Sequence, residues 1–248
     1  MKVFTHDDFL SVYACDPAAS PGRIEAILKA VRGEVEIEQA NPAAREDILA
    51  VHSQSHVQRV EREGIYNIAA LAAGAAVQTA MSGLREPSFG LIRPPGHHAS
   101  ADGHWGFCYF NNMAIALEYL RSNGHIKSAH ILDFDLHYGD GTVNILGAKG
   151  YVSIHNPDES DRRDYLAEVA ARLDSVKVDI IGVSAGFDNH IDDWGQVLYT
   201  EDYQEMGRMV AGTCKKLGIG CFGLLEGGYN HNVLGRNALA FLRGLQGL

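Results

Sequence analysis

Short runs of consecutive apolar residues alternate with stretches of helical periodicity along the whole chain. The runs Lys2–Thr5, Val35–Gln39, Gly90–Arg93, Ala129–Phe134, Tyr151–His155, Val178–Ser184 and Gly220–Leu225 predict strands. Several are apolar throughout rather than alternating, the pattern of strands covered on both faces. Between them, Gly22–Val31, Ser55–Glu63, Ile68–Met81, Asn112–Ser122, Asp164–Leu173, Thr200–Leu217 and Val233–Leu245 predict helices. In the helix from Thr200, residues Tyr203, Met206, Met209, Val210 and Cys214 share one face. The Ala-rich stretch Ile68–Met81 is too short for a membrane span and reads as a buried helix. This alternation predicts an α/β fold, a single domain over residues 1–248 with a mostly parallel central sheet and helices on both faces.

Composition narrows the function classes. With 248 residues, 46% of them apolar, the chain can bury a sizeable core. A net charge of −10 argues against a nucleic-acid partner. The four cysteines are scattered without a CxxC pair, as in a reduced, cytoplasmic protein. The start MKVFTHDDFL lacks an apolar leader segment, and no membrane partner is expected.

In parallel sheets, ligands bind beyond the carboxyl ends of the strands. Four predicted strand ends here carry polar, glycine-rich segments: Pro94-Pro95-Gly96-His97-His98, Asp135-Leu136-His137-Tyr138-Gly139-Asp140-Gly141, Ala185-Gly186-Phe187-Asp188 and Glu226-Gly227-Gly228-Tyr229. Asp135 and His137, two apart in an extended segment, point to one side and with Asp188 make a trio suited to a catalytic zinc. Taken alone, they also read as turn residues. His97 and His98 suit acid–base work near neutral pH, or are surface histidines. Asp133 and Asp140 are candidates to orient a histidine through its second ring nitrogen. Tyr229 on its glycine hinge is a candidate hydrogen-bond donor to an oxyanion, or an ordinary loop residue. His52 and His56, four apart, read as metal ligands or as structural residues, the second being the more common case.

Together, RPPGHH (93–98), GFCYFNN (106–112), DFDLHYGDGT (133–142), SAGFD (184–188) and EGGY (226–229) resemble the histone deacetylase family of the arginase–deacetylase superfamily. The last two are similar to the class II enzymes and the bacterial acetylpolyamine amidohydrolases. The resemblance implies a zinc-dependent deacetylase that releases acetate or another short acid from an N-acyl amine, either a small molecule or acyl-lysine. It implies zinc on Asp135, His137 and Asp188, with Fe(II) suiting the same donors. His98 would be the general base and acid, His97 its electrostatic partner, and Tyr229 the carbonyl-polarising phenol. Asp133 and Asp140 would back His97 and His98 respectively. Phe107 would wall the substrate channel, with Gly106 beside the substrate stem. A structural potassium ion would use Asp133, Asp135, His137, Ser153 and Ile154.

Two other classes compete. One is a catalytically weak binding or regulatory module of the same fold. The other is an arginase-like ureohydrolase, which needs further aspartates around a second metal. A monomer and an oligomer are both open. The chain is short for the family. About 23 residues separate His155 from the strand at Val178, where the family places a long glycine-rich loop carrying the opposite channel wall. The segment Ser11–Arg23 is short too. Tyr138, Phe187 and Trp105 are the aromatic candidates to replace the missing wall.

Overall fold

The computed structural model describes residues 1–248. Seven strands form one sheet: β1 (Lys2–Thr5), β2 (Glu36–Gln39), β3 (Ser88–Gly90), β4 (Ala129–Asp133), β5 (Val152–His155), β6 (Ile180–Ala185) and β7 (Gly220–Leu225). Their spatial order is β2-β1-β3-β7-β6-β4-β5, and every pairing is parallel. The central strands β4, β6 and β7 are almost wholly buried, which explains their continuous apolar runs.

Nine helices cover the sheet: α1 (Arg23–Val31), α2 (Arg45–Leu49), α3 (Gln54–Arg62), α4 (Tyr66–Gly83), α5 (Asn112–Ser122), α6 (Asp140–Leu146), α7 (Arg162–Ser175), α8 (Thr200–Leu217) and α9 (His231–Leu245). They pack as two groups, α2 to α6 around α4 and α5, and α1, α7 and α8 around α9 and one another. None is long and apolar enough to cross a membrane.

Three local outcomes differ from the expectations. The third strand is Ser88–Gly90 rather than Gly90–Arg93. Its chain leaves the sheet because Pro94 and Pro95 carry no N–H for a ladder. Arg93 is instead buried, donating to the carbonyls of Ser11, Ala18 and Ser20. Helix α6 was hidden in what reads as a Gly-Asp-Gly turn, with Gly139 preceding it and Asp140 as its first residue. Helix α2 is five residues long, too short to show periodicity.

The topology places the site. The four strands whose ends carry polar motifs, β3, β7, β6 and β4, are consecutive in the sheet and point the same way. Their carboxyl ends therefore converge on one region.

Helix α4 shows how tightly the layers close. A Cβ on Gly74 would lie 2.1 Å from the Asn41 carbonyl oxygen and 2.3 Å from the Ala43 nitrogen. In an open helix interior, Gly→Ala stabilises by about 0.5–1 kcal/mol. Here the new methyl meets backbone that cannot rotate away. Gly74→Ala should instead destabilise by about 1–3 kcal/mol, the usual cost of overpacking. Urea unfolding would show it, and a midpoint at or above wild type would contradict the close approach.

Candidate active site

Asp135 and His137 lie in the turn after β4, and Asp188 in the loop after β6. Their ligand atoms lie within 4.8 Å of one another. His137 Nδ1 is 3.3 Å from Asp135 Oδ1 and 3.2 Å from Asp188 Oδ2. Asp188 Oδ2 is buried, yet no donor is aligned to it. A Cβ at Gly227 would come within 2.6 Å of both Asp135 and Asp188, and one at Gly186 within 2.1 Å of Asp135. The glycines of SAGFD and EGGY thus leave room for the carboxylates. On their own, these two acids resist being charged together. Burial and the Asp135 charge push Asp188 up to about 6. Asp135 goes down to about 2, because His97 and the bonds from His137 and Gly227 outweigh its burial. An imidazole and two buried carboxylates whose ligand atoms converge in this way fit a zinc-type divalent cation. A second buried group, His97, Cys108 and Glu226, also converges. It suits a cation poorly, since burial pushes the Cys108 thiol far up and Glu226 up to about 7.

The two adjacent histidines differ in surroundings. His97 Nδ1 lies 3.2 Å from Asp133 Oδ2, and its Nε2 3.7 Å from Asp135 Oδ1. Burial opposes a charge there, but Asp135 and Asp133 outweigh it and raise His97 well above its usual value. His98 Nδ1 donates to Asp140 Oδ1 at 2.7 Å. Burial, then the neighbouring His97, lower His98 to about 4. His98 is therefore a neutral ring whose Nε2 lone pair is free to accept a proton. Glu226 fixes the turn that carries both, its Oε2 accepting from the Gly96 and His97 nitrogens at 2.7 and 3.2 Å.

A cavity of about 130 Å³ opens onto His97, His98, His137 and Tyr229. Burial, then Asp135, raise the Tyr229 phenol far above its usual value, so its O–H is a donor at neutral pH. Gly106 and Phe107 line the cavity, both with positive φ. Gly106 is needed there because a Cβ would strike His98 Cδ2 at 2.4 Å. Of the three aromatic candidates for the opposite wall, only Trp105 lines the cavity. It stacks on His98 at 3.9 Å and donates to Asp140 Oδ2 at 2.9 Å. Phe187 is instead wholly buried among Phe134, Tyr203 and Phe241. Tyr138 is exposed and faces a neighbouring cavity with residues 156–160.

Of the residues assigned to potassium, Asp133 ends β4, and Asp135 and His137 lie in the turn that follows it. Ser153 is not brought to them. It is exposed, paired with His130 along the ladder, and its hydroxyl bonds His130 Nδ1 at 2.8 Å. Ile154 lies opposite Ile131.

Sequence reasoning missed two residues at the site. Trp194 lines the cavity and stacks on Tyr229. A tryptophan in the polar stretch Asp192-Asp193-Trp194-Gly195 was the available cue. Arg23, wholly buried at the start of α1, donates to the carbonyls of Glu226 and Gly228 and lies 5.3 Å from the Tyr229 ring centre. Nothing in its local sequence marks it.

The fold is that of the histone deacetylases. The crystal structure of the HDA15 HD domain matches with a TM-score of 0.85 over 99% of this chain and 89% of that one, at 24% identity. The histone deacetylase domain also matches the sequence over residues 17–161 and 147–245, and the chain belongs to that family. A protein named "Probable deacetylase" from Methanothermobacter thermautotrophicus is 34% identical over 283 residues, covering 91% of this chain and 85% of that protein. That span exceeds the 248 residues of this chain, so the relative carries internal segments that are absent here. Acetylpolyamine amidohydrolase 2 of Pseudomonas aeruginosa is 32% identical over 198 residues, covering 64% of this chain and 56% of that protein.

His52 is structural. Its Nδ1 donates to the Ser100 carbonyl at 3.0 Å, and its Nε2 accepts from the Asn111 nitrogen at 2.9 Å. These bonds tie both ends of the segment that carries Trp105, Gly106 and Phe107. Nearby, His56 bonds the Tyr109 carbonyl at 2.8 Å. Burial, then His56, lower His52 to about 3, against about 6.5 in an unfolded chain. Folding thus favours the neutral ring. That contribution is whole above pH ~6.5 and is lost as pH falls toward 3. Unfolding free energy should drop between pH 6.5 and 4, and His52→Gln should flatten that slope. An unchanged slope in the variant would refute the assignment.

Proposed function

We propose that this protein is a zinc-dependent amidohydrolase that removes an acetyl or other short acyl group from an N-acyl amine. The observation that carries the reading is a convergence on one cavity. Two carboxylate-backed histidines, a protonated phenol and His137 line it, and Asp135 and Asp188 stand directly behind His137.

Asp135, His137 and Asp188 would hold the zinc. The ion supplies a Lewis acid for the amide carbonyl and lowers the pKa of the attacking water. His98 Nε2 takes that water's proton, with Asp140 holding its other nitrogen. His97, oriented by Asp133 at its Nδ1, directs its other ring nitrogen to the negative charge that develops beside it. The Tyr229 hydroxyl donates to the carbonyl oxygen as it becomes an oxyanion. His98 then returns the proton to the leaving nitrogen as the C–N bond breaks. The products are a short carboxylic acid and a free amine.

The cavity is small beside ordinary ligand pockets of roughly 300–1,000 Å³, which favours a short acyl group. The outer part of the substrate meets Trp105 and Trp194, both about half exposed, rather than a closed channel. A long lysine stem gains less there, at about 0.8 kcal/mol per buried CH₂. The relative named for acetylpolyamines supports an acylated amine as substrate. Small N-acyl amines are favoured over acyl-lysine peptides.

The test is hydrolysis by the zinc-loaded protein of acetyl-lysine peptides, acetylated polyamines and small N-acyl amines. Higher kcat/KM for the small amines is expected. No turnover of any of them at one zinc per chain would overturn the reading. Asp188→Ala should lose zinc and activity together, and full zinc occupancy in that variant would remove Asp188 from the ligand set. Tyr229→Phe should keep zinc and lose about 10²–10³ in kcat, the usual effect of one oxyanion donor. Near wild-type kcat would exclude the phenol's role.

A further inference from the structure

Tyr229 follows two glycines, and Gly228 has φ +110. Such a backbone has freedom that most residues lack. A phenol that must meet one oxygen cannot share that freedom, so something else has to hold it.

The loop after β6 does so. Asp193 Oδ2 accepts from both the Tyr229 and the Asn230 nitrogens, each at 2.8 Å. The other oxygen, Asp193 Oδ1, accepts from the Trp194 nitrogen at 2.9 Å. The Trp194 indole lies against the Tyr229 ring, with centroids 4.0 Å apart and planes at 24°. Its other neighbour is His137, met edge to face at 6.0 Å. Asn230 Nδ2 also donates to the Asp192 carbonyl at 2.6 Å.

The loop is itself braced. The Gly195 nitrogen donates to the Asp188 carbonyl at 2.8 Å, and the Leu198 nitrogen to the Asn189 carbonyl at 2.8 Å. A Cβ on Gly195 would meet Asn189 Oδ1 at 2.2 Å, so the turn after Trp194 closes onto the start of its own loop. One short segment therefore begins at a zinc-trio carboxylate and ends against the phenol. Trp194 is 48% exposed, so burial of its own surface is a weak reason for its being there.

We propose that Asp193 and Trp194 form a clamp that sets the Tyr229 ring over the cavity, with Trp194 a positioning residue for the phenol. The proposal rests on the reading of Tyr229 as the carbonyl's donor. It also makes the indole part of the cavity lining, to which the segment after β5 contributes no residue.

Two measurements test it. The first needs neither zinc nor substrate. Fluorotyrosine placed at position 229 should give a fluorine resonance shifted by the ring current of the stacked indole. Trp194→Ala should move that resonance toward the free position and broaden it, and Trp194→Phe should move it part of the way. A resonance unmoved by Trp194→Ala would overturn the clamp.

The second is a double-mutant cycle on the zinc-loaded protein, with the best substrate from the amine panel. Trp194→Ala should lower kcat by about 10- to 100-fold, since misplacement by 1 Å costs on the order of 10²-fold. Trp194→Phe should recover most of that loss. Asp193→Asn, which keeps an acceptor oxygen, should outperform Asp193→Ala. In a Tyr229→Phe background, Trp194→Ala should cost little more, because the group it positions is gone. Fully additive losses would show that Trp194 acts only as a wall and would overturn the proposal. Should Tyr229→Phe alone lose no activity, the donor reading of Tyr229 fails, while the fluorine resonance still decides the clamp.

Discussion

A buried carboxylate, Asp135, ties two strand ends into one site. Its Oδ1 accepts from the His137 nitrogen within its own turn, and its Oδ2 accepts from Gly227, beyond β7. Asp188 makes the complementary link, accepting from the Leu136 nitrogen through Oδ1 and so tying the end of β6 to the turn after β4. Burying two carboxylates costs several kcal/mol per ion unless donors and charges surround them. That demand explains the neighbourhood. Glycines stand where any Cβ would crowd the oxygens, backbone N–H groups point inward, and imidazoles lie on the open side. The trio is held by main chain that the sheet has already ordered, so its geometry belongs to the fold before any ion arrives.

The same sheet gives two adjacent histidines different chemistry. His97 is inside, against Asp133 and within reach of Asp135, and the surrounding negative charge favours its protonated form. His98 is one residue further along, backed by the single half-exposed carboxylate of Asp140, with a cationic neighbour opposing its charge. Adjacent side chains in a stiff Pro-Pro-Gly turn cannot exchange places. The proposed acid–base role suits His98, whose surroundings favour the neutral ring, and the proposed electrostatic role suits the more enclosed His97.

Much of this was legible in the chain. Strands β4, β6 and β7 were visible because a strand covered on both faces must be apolar throughout, and the polar residues that follow them then mark the strand ends. The motifs at those ends carried the site residues, since carboxylate, imidazole and glycine occur together there for joint chemical reasons. Other features were not legible for equally physical reasons. Arg23 acts through backbone carbonyls more than 200 positions away, which no local pattern reveals. Asp140 sits in a Gly-Asp-Gly string that suits a turn as well as the helix it starts. Trp194 lies in a loop, where no periodicity tells an inward ring from an outward one. Phe187 reads as a site aromatic by its place in SAGFD, yet its backbone turns it into the core beneath Tyr203.

The sheet order keeps the candidate site apart from the segment where this chain is shorter than its relative. The match to the histone deacetylase domain divides into two spans that meet at residues 147–161, at β5 and the segment after it, and β5 is an edge strand. The candidate catalytic and metal-holding residues follow β3, β4, β6 and β7, which are contiguous at the centre. A deletion after β5 removes no strand from between them and no N–H from around Asp135. Beyond β5, Tyr138 and Asn156 line a separate cavity next to the site. The exposed aromatic surfaces at the cavity are two tryptophans, Trp105 tilted against His98 and Trp194 stacked on Tyr229. An edge strand can therefore lose its loop without disturbing these residues, and under the proposed function selection at the mouth would fall to the two tryptophans that pack on His98 and Tyr229.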